Sequence, residues 1–231
     1  MFWGDKVTKL ILIRHGQTVW NKLGRYQGQA DVELSDAGKK QAELLGENFP
    51  YDNVAAVYSS NLKRAVETAQ AVADKFNLSV NPCQEFREIN FGEWEGLTYE
   101  EIHGKWPKEH EMLFKSPDKL VCPGGEGFKD VQERAVEKMQ EIIRENDGKQ
   151  VVIAAHGGVI RTMLCHALGL SLQNMWHIKQ DNTAINVVSA YNEGMVVELL
   201  NSTQHLAGMT NNFCDNFSAA SVKGKKNDTN K

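Results

Sequence analysis

Arg14-His15-Gly16 and His156-Gly157-Gly158 each follow a short run of apolar, β-branched residues, and Arg64 lies just past a third such run. Two arginines offer always-charged planar forks that match phosphate oxygens. Two histidines can serve as nucleophile, proton carrier or electrostatic clamp, with an unperturbed pKa of roughly 6.5. Gly16 and Gly157 let the backbone come close to a ligand, and amides at the start of a helix opened by Gly157 favour an anion. A single Arg-His pair at a strand end is ordinarily surface. Two His-Gly strand ends with a further arginine predict a phosphate pocket, if the elements that carry them converge.

The surrounding pattern supplies such elements. Val7 to Ile13, Val54 to Tyr58 and Val151 to Ala155 read as buried strands. Ser35 can cap a helix with Ala42, Leu45 and Phe49 on its apolar stripe and Pro50 as its stop. Leu62, Ala65, Val66, Ala69, Ala73 and Phe76 recur at helical spacing, as do Val131, Ala135, Met139 and Ile142, and a last helix follows His156 with Ile160, Met163, Leu164 and Ala167. Ala184–Ala190 and Val196–Leu200, joined through Asn192-Glu193-Gly194, predict a hairpin at the sheet edge. Strands alternating with helices predict an α/β fold, a three-layer αβα sandwich with a mostly parallel sheet. In such sheets ligands sit outside the carboxyl ends of the strands. That is where both His-Gly pairs and Arg64 fall.

Residues 90–127 interrupt the alternation with Gly92, Gly96, Pro107, Pro117, Pro123 and Gly124-Gly125, and predict an insertion of short helices and loops lying over the strand ends as a lid. Residues 1–210 then form one domain, and the polar stretch 211–231 predicts a disordered tail. The chain has 231 residues, 41% hydrophobic, enough for a substantial core. Its 26 basic residues against 30 acidic ones leave no surplus for nucleic acid. Four scattered cysteines without a C-x-x-C pair suit reduced thiols, the first residues lack the apolar core of a signal peptide, and no run approaches a membrane span. The expectation is a cytoplasmic protein with no nucleic-acid or membrane partner. Zincin and P-loop motifs are missing, as is a cysteine-phosphatase loop, and no carboxylate cluster implies a catalytic metal.

Six stretches in order resemble the histidine phosphatase superfamily, the phosphoglycerate-mutase-like proteins. Arg14-His15-Gly16-Gln17-Thr18-Val19-Trp20-Asn21 is similar to the RHG-x-T-x-x-N signature. Gln27-Gly28 with Leu34-Ser35-x-x-Gly38, Ser59 to Ala69 around Arg64, and Phe86 to Gly96 around Glu88 follow. Pro123-Gly124-Gly125-Glu126 and His156 to Arg161 complete the set. Gly127 departs from the pattern, since many members have Ser there; a glycine can cap a helix but offers no side-chain oxygen to a substrate.

The resemblance implies a catalytic set of His15, Glu88, Arg14, Arg64 and His156. His15 would form a phosphohistidine, with Arg14, Arg64 and His156 on the phosphoryl oxygens and Glu88 as general acid, then base. Asn21, Gln27 and Gly28 would add hydrogen bonds to phosphate or substrate, beside the amide of Gly157. No metal and no cofactor are implied. Ile89-Asn90-Phe91-Gly92-Glu93-Trp94-Glu95-Gly96 looks like the phosphatase branch, α-ribazole phosphatases and broad-specificity relatives, rather than the mutases, which carry a basic insertion there. The implied substrate is a small phosphorylated metabolite. A phosphoglycerate mutase is the alternative, and a non-catalytic phospho-ligand-binding protein a third reading. Trp94, Trp106 and Trp176 read as packing residues without a role in the site.

Overall fold

Leu10, Ile11, Leu12 and Ile13 are all fully buried, which requires protein on both faces of their strand. The alternation of side chains sorts them: Leu10 and Leu12 join one apolar cluster with Val151 and Ile153, while Ile11 and Ile13 join a second with Val152 and Ala154. The computed structural model describes residues 6–209, so the expected tail at 211–231 lies outside the described residues.

Six strands form one sheet: β1 (Thr8–Arg14), β2 (Val54–Ser60), β3 (Val80–Cys83), β4 (Gln150–Ala155), β5 (Ile185–Tyr191) and β6 (Gly194–Ser202), in the order β3-β2-β4-β1-β5-β6. The first four pair in parallel; β5 and β6 are antiparallel, the expected hairpin, with β5 against β1 and β6 at the edge. Arg14 is in register with Ala155, so His15 and His156 leave the sheet side by side. Strand β3 has no counterpart among the expected elements. Pro82 lowers its strand signal, and the sheet tolerates that proline because β3 is an edge strand.

Helices α1 (Val19–Lys22), α2 (Asp36–Glu47) and α3 (Lys63–Lys75) follow β1 and β2. Leu45 of α2 and Ala69, Val72 and Ala73 of α3 pack on the Ile11/Ile13 face. The opposite face is covered by α6 (Phe128–Glu145) and α7 (Gly157–Ala167) through Val131, Met139, Ile160 and Met163. The result is the expected three-layer sandwich. Within the insertion, α4 (Tyr99–Lys105) and α5 (Pro107–Lys115) bury Ile102 and Leu113, and Trp94 is fully buried beside them. The insertion is therefore continuous with the α6/α7 core rather than a loose flap.

Two glycines set how closely α2 approaches the first strand end. A Cβ on Gly38 would lie 1.9 Å from the Gln17 carbonyl oxygen, and one on Gly16 would lie 2.7 Å from the carbonyl oxygen of Gly38. At this separation Ser35 caps α2 at the Gly38 amide and its own amide reaches Gln17 O, while Gln41 Oε1 accepts from Gln17 N at 2.8 Å. Gly38→Ala cannot relieve its clash by turning a side chain, since the neighbour is backbone. Overpacking of this kind costs about 1–3 kcal/mol. A urea titration of Gly38→Ala should show a loss in that range, and unchanged stability would mean that the contact is not fixed.

Candidate active site

The sheet brings the predicted residues to one pocket at the carboxyl ends of β1, β2 and β4. Arg14, His15, Asn21, Gln27, Gly28, Arg64, Glu88 and Gly157 all line it. His156 is fully buried beside them, its ring centroid 5.1 Å from that of His15.

His15 is held from three sides. Its amide donates to Ala155 O at 3.0 Å, extending the β1–β4 ladder by one residue. Its carbonyl accepts from Thr183 N at 3.3 Å and Asn182 Nδ2 at 3.0 Å. Thr183 has φ +55°, a left-handed conformation that is costly for a β-branched residue and that brings its amide to His15. The ring Nδ1 lies 2.7 Å from the carbonyl oxygen of Gly16. A carbonyl can only accept, so Nδ1 carries the proton and Nε2 holds the lone pair. Burial, with Arg64 and Arg14 nearby, holds the imidazole well below its ordinary pKa of 6.5 and outweighs the Gly16 hydrogen bond, which acts the other way. His15 is thus a neutral base with its unprotonated nitrogen chosen by the backbone.

Main-chain carbonyls help to place both arginines. Arg64, at the first turn of α3, donates from Nη1 to Ala30 O and from Nη2 to Gly28 O, both at 2.7 Å. Its buried Nε finds no hydrogen-bond partner among the described residues. Burial lowers the Arg64 pKa to about 10, so the guanidinium keeps its charge at neutral pH. Arg14 Nη1 donates to Gln180 O at 2.5 Å. One turn beyond Arg64, Thr68 Oγ1 accepts from the Gly16 amide at 3.0 Å, which ties α3 to the first strand end.

His156 Nε2 lies 2.8 Å from Ser60 Oγ, which also accepts from the Leu62 amide. The amide can only donate, so of these two contacts Nε2 is the one that can accept the hydroxyl proton; that donation puts the His156 proton on Nδ1. That buried Nδ1 has no partner among the described residues. Burial first, then Arg64, His15, Arg14 and Arg134, keep His156 well below the usual imidazole pKa. It is a neutral ring next to His15.

Glu88 approaches from the segment after β3. Its Oε2 accepts from the Gly158 amide and its Oε1 from the Ile89 amide, each at 3.1 Å. A Cβ on Gly158 would come within 2.6 Å of Glu88 Oε1, so the second glycine of His156-Gly157-Gly158 makes room for this carboxylate at the α7 N-terminus. Asn21 caps α1 reciprocally with Thr18, and Gln27 Oε1 accepts from Thr18 Oγ1 at 2.8 Å. Both therefore line the pocket from fixed positions.

Sequence reasoning missed part of the wall. Arg25 and Arg161 add two cations, and Ile89, Phe91, Phe128 and Trp176 add apolar surface. Trp176, expected to have only a packing role, stands at the pocket with the Arg161 guanidinium 5.0 Å from its ring centroid. Arg161 was detectable, because it lies four residues after Gly157 on one helix face. Arg25 gave no such signal: it reaches the pocket from the loop after α1, against Gly96 O and 3.7 Å from Glu101. Among the described residues no group of three or more His, Cys, Asp or Glu is placed to hold a metal ion.

Known proteins resemble the chain over most of its length. The family model described as histidine phosphatase superfamily (branch 1) matches residues 10–203. Phosphoserine phosphatase 1 of Hydrogenobacter thermophilus is 36% identical over 200 residues, covering 87% of this chain and 95% of that protein. The metal-independent phosphoserine phosphatase of Arabidopsis thaliana is 32% identical over 208 residues, covering 89% and 86%. A solved structure of a phosphoserine phosphatase mutant from Entamoeba histolytica in complex with phosphoserine superposes with a TM-score of 0.77 at 33% identity, over 86% of this chain and 99% of that one. Motifs, site geometry and relatives agree, and the chain belongs to the histidine phosphatase superfamily.

Proposed function

We propose that this protein is a phosphatase that hydrolyses small phosphomonoesters through a phosphohistidine on His15. The observation that carries the reading is the His15 tautomer: Nδ1–H is tied to the Gly16 carbonyl, and the Nε2 lone pair is left among Arg14, Arg64 and His156. In the first step Nε2 attacks phosphorus, the ester P–O bond breaks, and Glu88 gives its proton to the departing alkoxide. In the second, the Glu88 carboxylate takes a proton from water, the water oxygen attacks phosphorus, and the P–N bond breaks to release inorganic phosphate. Arg14, Arg64 and the Nδ1–H of His156 stabilise charge on the equatorial oxygens in both steps.

Arg25 and Arg161 point to a substrate with a second anionic group, since they add positive charge to the pocket wall beyond the arginines beside His15. Phosphoserine, the substrate named for the relatives above, has this form and is the class we assign. Water, not a second hydroxyl compound, is the acceptor in this reading. Release of inorganic phosphate from phosphoserine separates it from a mutase, which would return the phosphoryl group to an organic acceptor. We place the reaction in the cytoplasm, where thiols such as the buried, free Cys83, Cys122 and Cys165 stay reduced.

An alkaline, denaturing quench of a single turnover should trap an acid-labile, alkali-stable phosphoramidate in the wild type and none in His15→Ala. Glu88→Gln should slow phosphoenzyme formation from phosphoserine by about 10²–10⁴-fold. With p-nitrophenyl phosphate the loss should be much smaller, because nitrophenolate leaves without a proton. Equal losses on the two substrates would remove Glu88 from the acid role.

The depressed pKa values of His15 and His156 give a signed pH dependence. Both rings stay neutral well below pH 6.5, whereas in the unfolded chain they take up protons near that value. The unfolded state then binds more protons, so stability should fall as pH drops below about 6.5. Nitrogen-15 NMR should find both imidazoles in the neutral form from pH 8 to 5.5. Titration of His15 near 6.5 would contradict the buried, cation-flanked setting.

Metal chelation is the remaining test of the cation clamp. With Arg14, Arg64 and His156 as its charge source, kcat/KM should stay within about twofold after exhaustive treatment with EDTA. A large loss restored by a divalent ion would show that the three groups are insufficient.

A further inference from the structure

We infer that Arg134, locked to Glu126, is a positioning residue that sets the general acid. The inference rests on the reading of Glu88 as the acid. Residues 87–91 form neither helix nor strand, so no regular ladder fixes the backbone that carries Glu88. The guanidinium of Arg134 takes that place, with Gln29 Nε2 also donating to Glu88 O at 3.2 Å. From α6, Arg134 Nη1 donates to Glu85 O at 2.5 Å and Arg87 O at 2.8 Å, and Nη2 donates to Glu88 O at 3.2 Å. Its remaining edge meets Glu126, Nη2 to Oε1 at 2.8 Å and Nε to Oε2 at 3.3 Å. Glu126 Oε1 in turn accepts from the Asn90 amide at 2.8 Å. One ion pair therefore holds the segment on both sides of Glu88, carbonyls before it and an amide after it.

The chemistry explains why these residue types are required. A guanidinium presents five donors in a rigid fork, and here they serve three carbonyls and one carboxylate. An ammonium has three donors and no fixed plane, so lysine cannot reproduce the set. The pair is about one-fifth exposed on each side, sheltered enough to hold its geometry yet outside the pocket wall. Lysine would keep the charge by which Arg134 also acts on His156, so the substitution isolates the placement of Glu88, whose carboxylate is oriented by two backbone amides. Loss of the clamp would let the carboxyl group shift away from the leaving oxygen, and a shift of about 1 Å can cost up to about 10²-fold.

The test uses Arg134→Lys and Glu126→Gln, each first checked for a cooperative thermal transition, and single-turnover phosphorylation with phosphoserine and with p-nitrophenyl phosphate. The expected result is a loss of about 10–100-fold on phosphoserine with little change on p-nitrophenyl phosphate. In a Glu88→Gln background the Arg134→Lys change should add little further loss on phosphoserine, because there is no acid left to place. Equal losses on both substrates, or full additivity with Glu88→Gln, would reduce Arg134 to a purely structural residue and overturn the inference. If Glu88→Gln itself shows no leaving-group dependence, the acid assignment fails and this inference falls with it. If it does and neither Arg134→Lys nor Glu126→Gln follows, only the positioning role is lost. Glu126→Gln, which keeps the size and the acceptor oxygen, maintains the test if Arg134→Lys does not fold.

Discussion

Two arginines and two histidines are packed within one buried corner, with main-chain carbonyls against both guanidinium groups. That concentration of positive charge is the constraint to which the rest of the structure responds. Isolated buried charge is costly, so the guanidinium N–H groups must be satisfied. Main-chain oxygens satisfy several of them, Gly28 and Ala30 for Arg64 and Gln180 for Arg14. Carbonyl dipoles complete the hydrogen bonds without cancelling the net charge. The corner therefore stays electropositive, and a phosphate dianion is the partner that fits it. Burial first, and then the same field, keep His15 and His156 neutral, so the proposed nucleophile needs no base to deprotonate it.

The fold serves this corner by register. Parallel pairing of β1 with β4 sets Arg14 opposite Ala155, and each strand is then followed by a histidine. Pairing of β4 with β2 places Ser60 near enough to fix the second histidine's proton, and α3 turns back from β2 to carry Arg64 and Thr68. The hairpin adds Asn182 and Thr183, which hold His15 from behind. A shift of one residue in the β1–β4 ladder would separate the rings, and the buried alternation of Leu10 to Ile13 makes such a shift expensive.

The proposed acid is supplied differently. Glu88 comes from irregular chain, and its position depends on long-range polar contacts with α6, α7 and the insertion rather than on the sheet. Rigid placement by side-chain hydrogen bonds suits a group that must alternate between donating and accepting a proton. The insertion completes the enclosure. Its apolar underside joins the main core, and Phe91 and Ile89 line the pocket beside Phe128 and Trp176.

Short-range features were legible in the chain itself. The buried runs at 10–13 and 151–155, the helical spacing from Leu62 to Phe76, and the His-Gly strand ends each follow from local periodicity or from a residue type that few other chemistries use, and they determined the α/β class, the phosphate pocket and the family. Glu88 could be selected among Glu85, Glu93 and Glu95 only by its place in a motif, since four carboxylates in eleven residues look alike to local physics. Strand β3 was hidden because Pro82 is acceptable only at a sheet edge, and which strand lies at the edge is a property of the whole sheet. The protonated nitrogen of each histidine, the arrival of Arg25 and Trp176 at the pocket, and the clamp on the Glu88 segment were decided by tertiary structure alone. Each depends on contacts between residues far apart in the chain, such as Ser60 with His156 or Arg134 with Glu85, and sequence spacing carries no information about which distant groups folding will bring within hydrogen-bond reach.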